Sequence, residues 1–130
     1  MNSKQLISEA YHASEDKKGI DPLILDIRKI SDIADFFLLV HGNSDRHVRT
    51  IADGIIEALH HKKEKPYHVE GLKESNWILI DYSSVIIHIF HYQTRQFYNL
   101  ERLWGDAKVV KIPEKKYERP SKKIRRSSAS

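Results

Sequence analysis

The chain has 130 residues, with 22 Lys/Arg against 18 Asp/Glu, no cysteine and a formal net charge of +4. That length suits one domain around one modest core, and the missing thiols exclude disulfides, cysteine catalysis and Cys-ligated zinc or iron–sulfur sites. The longest apolar runs, such as Phe36–Val40 and Val85–Phe90, fall far short of the ~20 residues a membrane-spanning helix needs.

The charge is unevenly spread. Residues 1–110 hold 14 Lys/Arg and 16 Asp/Glu, whereas residues 111–130 hold 8 Lys/Arg and 2 Asp/Glu. The first part is therefore close to neutral, and general attraction to nucleic acid falls to the last twenty residues. The opening M-N-S-K-Q-L-I-S-E-A has no apolar signal core and carries an early acid, so a cytoplasmic location is expected.

In chain order, Ser3 is the expected N-cap of a first helix with apolar positions at Leu6, Ile7, Ala10 and Tyr11. Lys17 and Lys18 suit its last turn, and Gly19 suits the left-handed residue that ends it. Asp21-Pro22 turns the chain into a strand, Leu23–Ile27. The acidic connection Ile30–Asp35 leads to a second strand, Phe36–Val40, and two strands this close predict an antiparallel pair. His41-Gly42-Asn43-Ser44 then opens the clearest helix. Ser44 or Asn43 can cap it, and Val48, Ile51, Ala52, Ile55, Ile56 and Leu59 form one apolar stripe. Pro66 stops its continuation.

A third strand is expected around Tyr67–Glu70. Two more, at 77–82 and 85–90, meet at Ser83-Ser84. Neither of the latter has a purely polar face, which predicts a mid-sheet position or an interaction surface on one side. Phe97, Leu100 and Trp104 share a helical face that Gly105 ends, and Val109-Val110 can add a short last strand. The order α-β-β-α-β-β-β-α predicts a single α/β domain over residues 1–110, with a mixed sheet of about five strands and covering helices. Residues 111–130 carry too little apolar surface to offset their ordering entropy and are expected to be a disordered basic tail.

Four constellations carry chemistry. The strand-to-helix turn H-G-N-S-D at 41–45 could hold phosphate on backbone amides. A nucleotidyltransferase using Gly42–Ser44 would also need two or three metal-holding carboxylates, and neither Asp81-Tyr82-Ser83 nor Asp26-Ile27-Arg28 supplies the second. The eight histidines lack the i, i+4 spacing of zinc helices, so no metal is expected. Lys122, Lys123, Arg125 and Arg126 can neutralise RNA phosphates without reading sequence. The only two tryptophans, Trp77 and Trp104, flank the strand pair and its helix; such residues are either core or the anchors of a protein interface.

Four segments resemble the ribosomal silencing factor family, also called the Iojap or YbeB family. They are I-S-D-I-A-D-F-F-L-L-V (30–40), G-N-S-D-R-H-V (42–48), V-E-G (69–71) with W-I-L-I-D-Y (77–82), and V-I-I-H-I-F (85–90) running to F-Y-N-L-E-R-L-W-G-D-A (97–107). The resemblance spans about residues 3–110 and leaves the tail outside. It implies a nucleotidyltransferase-like fold without catalysis or cofactor. It also implies binding to the large ribosomal subunit at its fourteenth protein, on the face that meets the small subunit, with translation repressed by blocked joining. Organelle relatives act in large-subunit assembly. By motif position and interface chemistry, Trp77, Leu79, Asp81, Tyr82, Arg102 and Trp104 are the expected partner-binding residues. The chain is expected to be a monomer or homodimer.

Overall fold

The computed structural model describes residues 1–98, 105 and 107–112. Helix α1 spans Ser3–Asp16, and its cap is Asn2, one residue before the expected Ser3. The Asn2 side chain accepts from the Gln5 amide at 2.8 Å, and the Gln5 side chain accepts from the Asn2 amide at 3.0 Å. This reciprocal pair satisfies two of the donors a helix start leaves open. At the other end it is Lys18, at φ +63°, that takes the left-handed position. Gly19 serves a different need. A Cβ there would lie 2.7 Å from Val40 Cγ2, so the glycine lets α1 lie close on the sheet.

Strand β1 (Ile20–Asp26) pairs antiparallel with β2 (Phe36–Gly42), as the short connection requires. The register shifts between Ile20 and Leu23, where Pro22 has no N–H to offer a ladder. Helix α2 (Asp45–His61) starts at Ser44, whose hydroxyl accepts from the His47 amide. Of the expected stripe, Val48, Ile51, Ala52, Ile55 and Leu59 are fully buried and Ile56 packs partly buried at its edge; each large aliphatic side chain that leaves water contributes about 1.5–3 kcal/mol. Strands β3 (His68–Glu70), β4 (Trp77–Asp81) and β5 (Val85–His91), helix α3 (Tyr92–Tyr98) and strand β6 (Lys108–Val110) complete the order.

Among the described residues the strands form one six-stranded mixed sheet in the order β3-β4-β5-β2-β1-β6. Only β2 and β5 run parallel; Leu39 lies opposite His88, and His41 opposite Phe90. Helices α1 and α2 pack together on one face, against Ile24, Leu38, Val40, Ile78, Ile80, Ile87 and Ile89. The alternate residues Leu25, Phe37, Leu39 and Phe90 form a second, smaller core on the other face, with Ala107 against it. The strands at 77–81 and 85–91 are thus apolar on both sides because both sides pack something. The Phe97–Leu100–Trp104 face extends beyond the described residues, as does most of the 111–130 tail.

Candidate functional site

Strand alternation puts Trp77, Leu79 and Asp81 on the face away from α1 and α2, while Ile78 and Ile80 point into the main core. All three outward residues are half-buried. Across the ladder, Trp77 lies opposite Phe90, Leu79 opposite His88 and Asp81 opposite Ile86. On the outer side, Leu79 lies opposite Glu70 and Asp81 opposite His68, both exposed on the edge strand β3. The result is an apolar centre of Trp77, Leu79 and Ile86 with a rim of Asp81, His68 and Glu70. The His68 and Glu70 side chains meet at 2.6 Å.

Trp77 is held from beneath. Its Nε1–H donates to His88 Nδ1 at 3.1 Å, and its ring lies 5.1 Å from Phe90. His88 in turn meets Phe37 edge-on at 4.9 Å and lies parallel to Phe90 at 6.0 Å. Burial pushes the His88 pKa down to about 4, so the ring is neutral near pH 7. Asp81 caps its own turn, its carboxylate accepting from the Ser83 amide at 2.7 Å. Gly71, at φ +87°, closes the loop ahead of β4; a Cβ there would meet the Trp77 carbonyl oxygen at 2.1 Å.

Tyr82 does not share this face. It is 4% exposed and belongs to the helix-covered core, because the period of two that turns 77, 79 and 81 outward turns 78, 80 and 82 inward. Its hydroxyl is buried without a hydrogen-bond partner among the described residues. Burial, and secondarily Glu64, push its pKa up to about 12. Arg102, Trp104, Lys122, Lys123, Arg125 and Arg126 lie outside the described residues. His88, Phe90 and Ile86 were not among the expected site residues. The signal that finds them is their shared parity on the strand that follows the Trp77 strand.

The turn at Gly42–Ser44 is occupied by its own structure. The Asn43 amide donates to His47 Nδ1 at 3.1 Å, which leaves His47 Nε2–H to donate to the Lys17 carbonyl at 3.0 Å. Ser44 Oγ is the helix cap. Among the described residues no three His, Asp or Glu side chains converge to hold a metal, and no helix is long and apolar enough to cross a membrane.

These features define a class: a single α/β domain with one sheet face sealed by helices and a half-open apolar patch on the other. The family model for "ribosomal silencing factor during starvation" (RsfS) matches residues 1–130. The ribosomal silencing factor RsfS of Bacillus subtilis is 41% identical over 112 residues, covering 86% of this chain and 95% of that protein. A mouse protein named "mitochondrial assembly of ribosomal large subunit protein 1" is 33% identical over 73 residues, covering 54% of this chain and 32% of its own length. The crystal structure of a Bacillus halodurans protein superposes with a TM-score of 0.76 at 34% identity, covering 85% of this chain and 100% of that one. The chain belongs to the ribosomal silencing factor family.

Proposed function

We propose that this protein acts by occupancy, without turning over a substrate. It docks on the large ribosomal subunit through that subunit's fourteenth protein and leaves the small subunit no room to join, which lowers translation. The observation that supports this reading is the partly exposed Trp77–Leu79–Ile86 patch, rimmed by Asp81, His68 and Glu70, on the sheet face away from α1 and α2. Aromatic anchors ringed by polar groups are what protein interfaces use for affinity. Trp77 fills a pocket in the partner, Leu79 extends the apolar contact, and Asp81 at the rim sets orientation and rate of encounter. Arg102 and Trp104, outside the described residues, are assigned to the same partner by motif position alone. The tail lysines and arginines at 122, 123, 125 and 126 add contacts to ribosomal RNA. The site of action is the cytoplasm.

Blocking needs only occupancy. At about tenfold excess over Kd roughly 90% of subunits are covered, and a micromolar to nanomolar site corresponds to about −8 to −12 kcal/mol. Sedimentation of separated subunits in a density gradient tests the reading. The protein is expected in the large-subunit fraction, and adding small subunits is expected to yield fewer joined ribosomes. Normal joining at saturating protein would overturn it.

A role in large-subunit assembly is the second reading, favoured by the name of the mouse relative. It predicts that depletion leaves immature large-subunit particles even in rich medium.

A further inference from the structure

Where α2 ends, the chain runs Lys62-Lys63-Glu64-Lys65-Pro66-Tyr67 into β3. His60, His61, Lys62, Lys63, Lys65, Tyr67 and His68 are all exposed. Glu64 lies among them, but the Met1 ammonium engages its carboxylate at 3.0 Å. None of the three lysines is in an ion pair among the described residues. The result is a concentrated positive corner.

The backbone beneath this corner is fixed. The Lys63 amide donates to His60 O at 2.8 Å and the Glu64 amide to Leu59 O at 2.9 Å, while Lys63 holds the left-handed conformation at φ +66°. The Tyr67 amide donates to Asp81 O at 2.8 Å, extending the β3–β4 pairing. Tyr67 itself is 79% exposed, more than any other large apolar side chain among the described residues. An ordered backbone thus holds an aromatic ring and three ammonium groups out in water. The corner is also continuous with the docking patch, since the next residue, His68, lies opposite Asp81.

A row of unpaired cations beside one bare aromatic ring matches a phosphodiester backbone with an unstacked base, and that pairing recurs where proteins hold single-stranded nucleic acid. We propose that Lys62, Lys63, Lys65 and Tyr67 bind ribosomal RNA that borders the protein docked against Trp77. The lysines neutralise phosphates and Tyr67 stacks on one base. This second contact rests on the ribosomal reading above and makes binding to the whole subunit tighter, and more salt-sensitive, than binding to its protein component alone.

The test compares two targets, purified large subunits and the isolated fourteenth protein, across 50–200 mM salt. The proteins compared are wild type, the triple variant Lys62→Gln/Lys63→Gln/Lys65→Gln, and Tyr67→Ala. With three phosphates lost at a slope of ~0.7–0.9 each, wild type should lose roughly 20–40-fold more affinity for subunits than the triple variant over that range. Tyr67→Ala should weaken subunit binding about fivefold or more with the salt slope unchanged. Both variants should bind the isolated protein like wild type. A second single variant, Lys63→Gly, removes one charge while relieving the left-handed backbone, so it should melt higher yet bind subunits more weakly. An unchanged slope in the triple variant, with wild type still bound to subunits, overturns this inference alone. Wild type failing to bind subunits overturns the docking reading and this contact with it.

Discussion

Trp77 and His88 are joined diagonally across β4 and β5, with the indole N–H donating to His88 Nδ1 at 3.1 Å. Indole nitrogen can only donate, so Nδ1 accepts and the neutral ring carries its proton on Nε2. That nitrogen is buried and has no hydrogen-bond partner among the described residues. An unpaired buried donor of this kind costs about 1–3 kcal/mol. The arrangement holds the indole by an edge that is inside the protein while the rest of it reaches the surface. Packing against Phe90 and Phe37 leaves the imidazole little freedom to release it.

Trp77→Ala is expected to weaken large-subunit binding by about 2 kcal/mol or more, roughly 30-fold, as truncated anchors do. The fold should survive, because Trp77 is only half-buried. Trp77→Phe should retain part of the affinity but lose the bond to His88. Co-sedimentation at graded concentrations, alongside thermal melts, checks both; full binding by the alanine variant would refute the anchor role.

Acid should expose the buried imidazole. The folded ring takes up its proton near pH 4 and the unfolded one near 6.5, so between those values the unfolded chain binds more protons. The His88 contribution to stability is therefore complete above about pH 6.5 and declines as pH falls towards 4. By pH 4.5 the loss amounts to roughly 2–3 kcal/mol. Urea titrations at pH 7 and pH 4.5 should show this difference in wild type and a smaller one in His88→Leu.

Gly71→Ala should destabilise the protein by about 2–3 kcal/mol, since strain at a positive-φ position adds to a collision with backbone. The added Cβ would sit 2.1 Å from the Trp77 carbonyl oxygen, so the loop or the start of β4 must move. The same variant should also weaken subunit binding when assayed well below its melting temperature, because Trp77 moves with the strand. A urea midpoint equal to wild type would contradict this account.

Tyr82→Phe is expected to be neutral or to stabilise by about 1 kcal/mol, because it removes a buried hydroxyl that has no partner among the described residues. Wild type should also lose stability as pH rises from about 10 to about 12, the interval separating its unfolded and folded pKa. Below 10 the neutral phenol is common to both states. In the phenylalanine variant that alkaline loss should be reduced. A variant markedly less stable at pH 7 would show that the hydroxyl is in fact bonded.

The strands and helices were legible because their patterns are local. The α2 stripe from Val48 to Leu59 and the Ser44 cap follow from helical spacing and one hydroxyl, and the β1–β2 pairing follows from the short connection. Placing Trp77, Leu79 and Asp81 together needed only a period of two. The same period also separates Tyr82 from them, and motif position had obscured it. Asn2 displaced Ser3 as the cap because Gln5, three residues on, completes a reciprocal pair. His88 carried no local signal beyond its place in the 85–90 strand; its role depends on which residue of β4 lies beside it, and register is a property of two strands.

By itself the sequence determined the family, the course of the chain and the sets of side chains that share a face, since each depends on neighbours a few residues apart. It did not determine which set faces solvent. That choice waited on α1 and α2 settling together over Ile78, Ile80, Ile87 and Ile89, and on β5 lying parallel to β2. Burial of apolar surface is non-directional, so either side of so evenly apolar a strand pair could have taken the helices. Only the assembled layers left Trp77 at the surface with His88 sealed behind it.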